Sequence, residues 1–300
     1  MNSTFSRRSL LSALLAAGAP LARPQPDVQQ LRFSLSDSMI GDVNVTDARS
    51  AMVVWLKRIE QDLKVTLRYD PNIFESPARM LSRLRQGQLD AVAVNILEFR
   101  RMMDWLDLDR VTVPMQKSKL QYVLLVRPES GIAKLSDLRS RRIMCLEAPP
   151  ACIAQHWLSN LLRAEALGEA ELFFSSIVRK AKPSQVILPV FFGQTDACLT
   201  TNSSFLTMAE LNPQVSKKLS PLAISPELVT TLYAFRKGWN DRSREIVMRS
   251  LEDLRVSPGG RQILNMFQCE RLAVQPGACL KSALEIVAQW ERGGGKAAAQ

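Results

Sequence analysis

The chain has 300 residues, 46% of them hydrophobic and 23% charged, with a formal net charge of +10. That make-up belongs to a globular protein with a full core, and the length permits two lobes of about 100 to 150 residues each. Its basic residues are scattered, with pairs at Arg100-Arg101, Arg141-Arg142 and Lys217-Lys218 and no interleaved aromatics, which argues against nucleic-acid binding. One histidine and five dispersed cysteines form no metal-ligand spacing, so neither a metal nor a cofactor is expected.

Residues 1–22 stand apart. They hold Arg7 and Arg8, no acidic residue, and then an apolar run over 10–22. That run is shorter than the roughly 20 residues that span a bilayer, so it reads as a removable secretory signal and places the mature chain in the periplasm. Ser6-Arg7-Arg8-Ser9-Leu10-Leu11 resembles a twin-arginine export signal, with an ordinary secretory signal as the alternative. Pro20 leaves the cleavage point undefined. Losing the two arginines takes the net charge from +10 to +8.

Beyond a Pro-rich linker, 31–36 reads as a strand that ends at Ser36, Asp37 and Ser38. Thr46 or Asp47 can cap a helix over 48–63, where Ala51, Val54, Trp55, Ile59 and Leu63 recur three or four apart. A strand over 65–69, a loop over 70–77 and a helix over 77–86 follow. Gly87-Gln88-Leu89-Asp90-Ala91 then opens an apolar run ending at Asn95, and Asn95 with Glu98 has the spacing of a capping box. Extended segments are expected at 111–115 and 120–127, a basic turn and strand over 135–146, a helix over 152–164, a strand over 170–177 and a helix over 183–192. Gly193-Gln194-Thr195-Asp196-Ala197 opens a second apolar run, ending at Thr201 and Asn202. After it come a helix over 204–211, a strand over 219–224, an extended segment over 230–235, helices near 241–255, 259–267 and 279–292, and a glycine-rich tail.

The two G-Q-x-D-A stretches punctuate the chain alike. Each glycine can close a helix in the left-handed conformation, and each following run suits a strand buried on both faces. In open parallel sheets, ligands collect at the carboxyl ends of the strands. The echo therefore predicts an α/β fold of two Rossmann-like lobes with a hinge: lobe I over 27–124 and 229–292, lobe II over 125–228, and a flexible tail over 293–300. Crossings near 120–127 and 230–235 would carry the chain between lobes. Cys269 and Cys279 flank Gln275-Pro276-Gly277 and are the candidate disulfide. Cys145 and Cys152 could pair or lie in the core, and Cys198 reads as core.

Three segments carry a resemblance: Leu84-Arg85-Gln86-Gly87-Gln88-Leu89-Asp90-Ala91, Leu135-Ser136-Asp137-Leu138-Arg139-Ser140-Arg141-Arg142-Ile143, and Val190-Phe191-Phe192-Gly193-Gln194-Thr195-Asp196-Ala197. Their order and spacing resemble the type II periplasmic substrate-binding proteins, specifically the phosphate/phosphite/phosphonate-type binding components of ABC transporters. The resemblance implies two lobes that close over a small ligand and deliver it to a membrane permease. It also implies a Ser/Thr-rich loop after the strand that follows L-x-D-L, gripping an oxyanion. This chain departs there, reading Glu147-Ala148-Pro149-Pro150-Ala151-Cys152, with two prolines that lack N–H donors and an added carboxylate. The departure tells against a phosphonate or phosphate held in the family's way and leaves amine-bearing, neutral or extended ligands open.

By the strand-end argument the cleft draws on Ser36, Asp37, Ser38, Asn95, Glu147, Ser175, Ser176, Thr201 and Asn202, with Tyr122 lining it from the crossing. The same residue types are the usual helix caps, and Tyr122 could equally be packed in a sheet. The function expected is solute binding for an ABC importer, by a monomer that meets a small ligand and an inner-membrane permease. The alternative is a periplasmic sensor signalling to a partner such as a histidine kinase. No P-loop, G-x-G-x-x-G or G-x-S-x-G occurs, and His156-Trp157 lies in a helical pattern, so an enzyme is not expected.

Overall fold

A computed structural model describes residues 31–39, 45–63, 74–239, 241–266 and 269–295. The export segment, the strand expected over 65–69 and the tail from 296 onward lie outside the described residues. The first half runs β1 (Phe33–Ser36), α1 (Val45–Leu63), β2 (Phe74–Glu75), α2 (Pro77–Arg85), β3 (Ala91–Asn95), α3 (Ile96–Met102) and β4 (Arg110–Met115). It continues through β5 (Tyr122–Val126), β6 (Arg142–Leu146), α4 (Ala154–Ala164), α5 (Ala170–Phe173), β7 (Ser176–Lys180), α6 (Pro183–Phe191), β8 (Ala197–Thr201), α7 (Asn202–Leu211), α8 (Gln214–Lys218) and β9 (Ser220–Ile224). The chain closes with β10 (Thr231–Phe235), α9 (Asp241–Glu252), α10 (Pro258–Met266), β11 (Arg271–Pro276) and α11 (Lys281–Arg292).

Two sheets result, ordered β11-β4-β10-β3-β1-β2 and β7-β6-β8-β5-β9. In each, the strand next to one edge pairs in parallel with its neighbours on both sides: β1 with β2 and β3, and β6 with β7 and β8. Antiparallel partners complete them, β10 against β3 and β4 in one, β5 against β8 and β9 in the other. The sheets are thus mixed rather than purely parallel, because the crossing strands enter in the opposite sense. β3, β5 and β8 are buried along their whole length, as their unbroken apolar runs require.

The repeated G-Q-x-D-A sequence is a repeated piece of structure. Gly87 (φ 65°) and Gly193 (φ 74°) both sit in the left-handed region, where a side chain would be strained. In each copy the next residue donates back into the helix just ended, Gln88 N to Arg83 O and Gln194 N to Pro189 O. The aspartate then reaches the arginine that opens the neighbouring parallel strand. Asp90 Oδ2 accepts from Arg32 N (3.0 Å) and Nε (2.9 Å), and Asp196 Oδ2 accepts from Arg142 N (2.9 Å) and Nε (3.3 Å).

Several expectations are corrected. Residues 74–75, read as loop, pair with the end of β1 as a short edge strand. The strand expected over 170–177 is a helical turn followed by a strand: Ala170 and Phe173, three apart, bury one helical face, and β7 begins only at Ser176. Val54, assigned to the buried face of α1, is 61% exposed. β5 belongs wholly to the second sheet, so a lobe boundary at 124 cuts a strand. The crossings are instead 116–121 and 225–230, tied by the Leu120–Leu228 bridge. Residues 271–276, taken to end in a turn between cysteines, form β11 along the full length of β4. That six-residue strand, roughly 20 Å long, lies between Cys269 and Cys279, and all five cysteines are free thiols. Finally, α11 packs mainly on α4 of the second lobe and also meets α3, so it bridges the lobes rather than belonging to the first alone.

Candidate functional site

The carboxyl ends of β1 and β3 lie side by side in the first sheet, which brings Ser36, Ser38 and Asn95 together although they are distant in sequence. Asn95 caps α3: its Oδ1 accepts from Leu97 N (2.9 Å) and Glu98 N (3.0 Å), while Glu98 Oε2 accepts from Asn95 N (3.0 Å). The Asn95 amide also donates to Ser38 Oγ (3.0 Å). Glu98 does more than complete the cap. Its second oxygen, Oε1, accepts the hydroxyls of Ser36 and Ser38, each at 2.7 Å. Glu98 is 5% exposed, and no lysine or arginine among the described residues pairs with it. Asp37, between the two serines, is exposed.

Opposite stands the turn that follows β6. Pro149–Ala151 forms one 3-10 turn in which Ala151 N donates to Ala148 O (2.8 Å) and Cys152 N to Pro149 O (3.3 Å). With two prolines, the turn has no backbone donor to spare over 149–152. The Pro150 carbonyl accepts the Tyr122 hydroxyl (3.0 Å) and, more weakly, the Thr230 hydroxyl (3.4 Å) from the return crossing. Tyr122 is fully buried beside Trp157, and burial drives its hydroxyl well above the usual range, so it stays a neutral donor. Ile96 N, at the start of α3, donates to Thr230 O (2.8 Å), so Thr230 bonds both turns. Burial pushes the Cys152 thiol at the end of the Pro150 turn up to about 12, with the Glu98 side chain raising it further. Thr230 thus links the second-lobe turn to the first-lobe turn at Asn95–Glu98. Two hollows along α11, of about 480 and 240 Å³, involve none of these strand-end residues.

The remaining expected residues divide. Thr201 accepts from Ser204 N (3.1 Å) and caps α7. Asn202 holds the outgoing crossing through three bonds, Gln121 N to Oδ1 (3.0 Å), Nδ2 to Lys119 O (2.9 Å) and its own N to Gln121 O (2.9 Å), so it serves the hinge. Glu147 is exposed at the end of β6, beside Lys180. Ser175 and Ser176 are misplaced in the sequence reading. Because α5 occupies 170–173, Ser176 opens β7 opposite Arg142, at the end of the sheet away from Glu147. Glu98, Pro150, Cys152 and Thr230, which lie at these two turns, were not among the residues expected there. The capping-box spacing flagged Glu98 only as a cap.

A family model for the phosphonate-type periplasmic substrate-binding proteins of ABC transporters matches residues 39–274. The chain belongs to this phosphonate-type substrate-binding family. Comparison with curated protein sequences finds no match. Among solved structures, this family member is similar to a binding component of an ABC phosphonate transporter from Pseudomonas aeruginosa, with a TM-score of 0.56, 12% identity, and 89% and 88% of the two chains covered. It is similar to the Prochlorococcus marinus protein PhnD1 in complex with methylphosphonate, with a TM-score of 0.57, 16% identity and coverage of 88% and 98%. The periplasmic aliphatic sulphonate-binding protein SsuA of Escherichia coli follows at a TM-score of 0.51, 13% identity and coverage of 88% and 86%. These neighbours share the two-lobed type II binding-protein fold. As a member of the family, the chain is the periplasmic substrate-binding component of an ABC importer, a transport protein that delivers a small ligand to a membrane permease.

Proposed function

We propose that the chain closes its lobes over a small ligand held between the β1/β3 turn and the β6 turn, with 116–121 and 225–230 as the hinge. One observation carries this reading: Thr230 of the return crossing joins the two turns, its hydroxyl bonded to Pro150 O of the second lobe and its carbonyl to Ile96 N of the first. Ser36, Asp37, Ser38 and Asn95 form one wall, and Glu147 and the Pro150 turn form the other, with Tyr122 positioning that turn. Thr230→Val removes one weak bond, worth about 1 kcal/mol. It is expected to raise the radius of gyration measured by X-ray scattering without ligand, and ligand should restore the compact value. A panel of small anions, zwitterions and amines that leaves the melting temperature of the mature protein unmoved would refute the reading.

We also propose that residues 1–22 direct export by the twin-arginine route and are then removed, on the strength of Arg7-Arg8 ahead of the apolar run. Replacing both arginines by lysine should hold the precursor in the cytoplasm. Unchanged export would identify an ordinary secretory signal.

A further inference from the structure

We propose that Glu98 determines specificity by supplying, from within the chain, the oxyanion that the first-lobe seat would otherwise take from a ligand. The inference rests on the cleft reading above. A capping box needs one carboxylate oxygen, and here Oε2 serves it by accepting from Asn95 N. The other oxygen collects two hydroxyl donors from the end of β1, Ser36 and Ser38, both at 2.7 Å. Two hydroxyls and a backbone N–H converging on one buried carboxylate are the donor set expected around a bound carboxylate, phosphate or phosphonate. In this chain the seat is already filled by a side-chain carboxylate.

The facing turn does not compensate. Its Ala151 and Cys152 N–H groups are spent within the turn, Pro149 and Pro150 have none, and the Pro150 carbonyl is an acceptor. A bare oxyanion entering this part of the cleft would meet the Glu98 carboxylate and a carbonyl, with few donors to offset its desolvation. The groups present instead suit a ligand that brings its own donors, such as a primary ammonium.

The test compares the mature wild-type protein with Glu98→Ala and Glu98→Gln, using acetate, inorganic phosphate, methylphosphonate and n-propylamine as probes in thermal-shift and calorimetric titrations. Glu98→Ala vacates the seat, so acetate or methylphosphonate should raise its melting temperature by several degrees while moving wild type by less than the error. Ser38→Ala added to Glu98→Ala should abolish that rescue. Glu98→Gln refills the seat with an amide and should show no rescue. Should Glu98→Ala fail to fold in plain buffer, its soluble yield on refolding in acetate against chloride at equal ionic strength reads the same rescue. The proposal is overturned if wild type binds methylphosphonate as tightly as Glu98→Ala, or if no anion rescues that variant. Amine binding by wild type without anion rescue in the variant would sink the role of Glu98 and leave lobe closure standing. A wild-type protein silent to every probe, with a rescued variant, would do the reverse.

Discussion

Asp90 and Asp196 occupy the same place in the two sheets and differ in burial, which separates their contributions. The Asp90 side chain is 2% exposed and also meets Arg236, and its bond holds the Arg32 guanidinium above its usual range. Asp196 is 20% exposed and its partner Arg142 is 54% exposed, so solvent screens that pair. Asp90→Asn should cost about 2 kcal/mol, because it weakens several charge-assisted bonds to a carboxylate that is itself buried. Asp196→Asn should cost less than about 1 kcal/mol. Urea denaturation of both variants measures the difference, and equal losses would contradict the assignment of the larger role to burial. At this scale the sequence was informative about caps and helix stops. It read the Asn95–Glu98 spacing as a capping box, which the structure contains, but could not show that Glu98 also binds serines some sixty residues away.

Among the elements, β11 has the clearest chemical consequence. By extending along β4 it holds Cys269 and Cys279 apart, so these thiols have no partner to oxidise with inside one chain. Burial pushes Cys145 up to about 12 and Cys269 up to about 11, and raises Cys198 and Cys279 as well. Thiolate is the reactive form, so the native protein should react slowly with a thiol reagent at about pH 8 and release five thiols only on unfolding. A prompt native titre of three or more, or fewer than five thiols after denaturation without reductant, would contradict this. β7 teaches a related lesson. Its segment looked extended from Ala170 onward because apolar residues are frequent there, yet a single helical turn takes the first four and moves Ser175 and Ser176 to the far end of the sheet.

Over the whole molecule, α11 ties the lobes together. Asn160 Nδ2 donates to Ile286 O (2.8 Å), Arg163 Nη1 reaches Trp290 O (3.4 Å), and the His156 and Trp290 rings meet edge to face at 4.1 Å. His156 is held neutral, since burial lowers it from 6.5 to about 4, and its Nδ1 has no partner among the described residues. Between those values the unfolded chain binds a proton that the folded chain does not. This contribution is therefore full above about pH 6.5, declines as pH falls and levels off below about pH 4, for at most about 3 kcal/mol. Stability should fall less between pH 7 and pH 4.5 in His156→Gln than in wild type. Parallel pH profiles would exclude this role, because carboxylate titration is common to both proteins.

Taken alone, the sequence determined what depends on neighbours along the chain: the helix stops at Gly87 and Gly193, the buried β3 and β8 runs, the Asn95–Glu98 cap, the two-lobed α/β plan and the family. Each of these rests on turn chemistry and hydrophobic period, which act over a few residues. Tertiary structure alone decided which sheet β5 joins, that 74–75 and 271–276 become strands, which end of the second sheet Ser176 faces, and where α11 docks. It also decided that Glu98 fills the seat made by Ser36 and Ser38. Those outcomes depend on strand order and on contacts between residues far apart in the chain, whose energies no local pattern records.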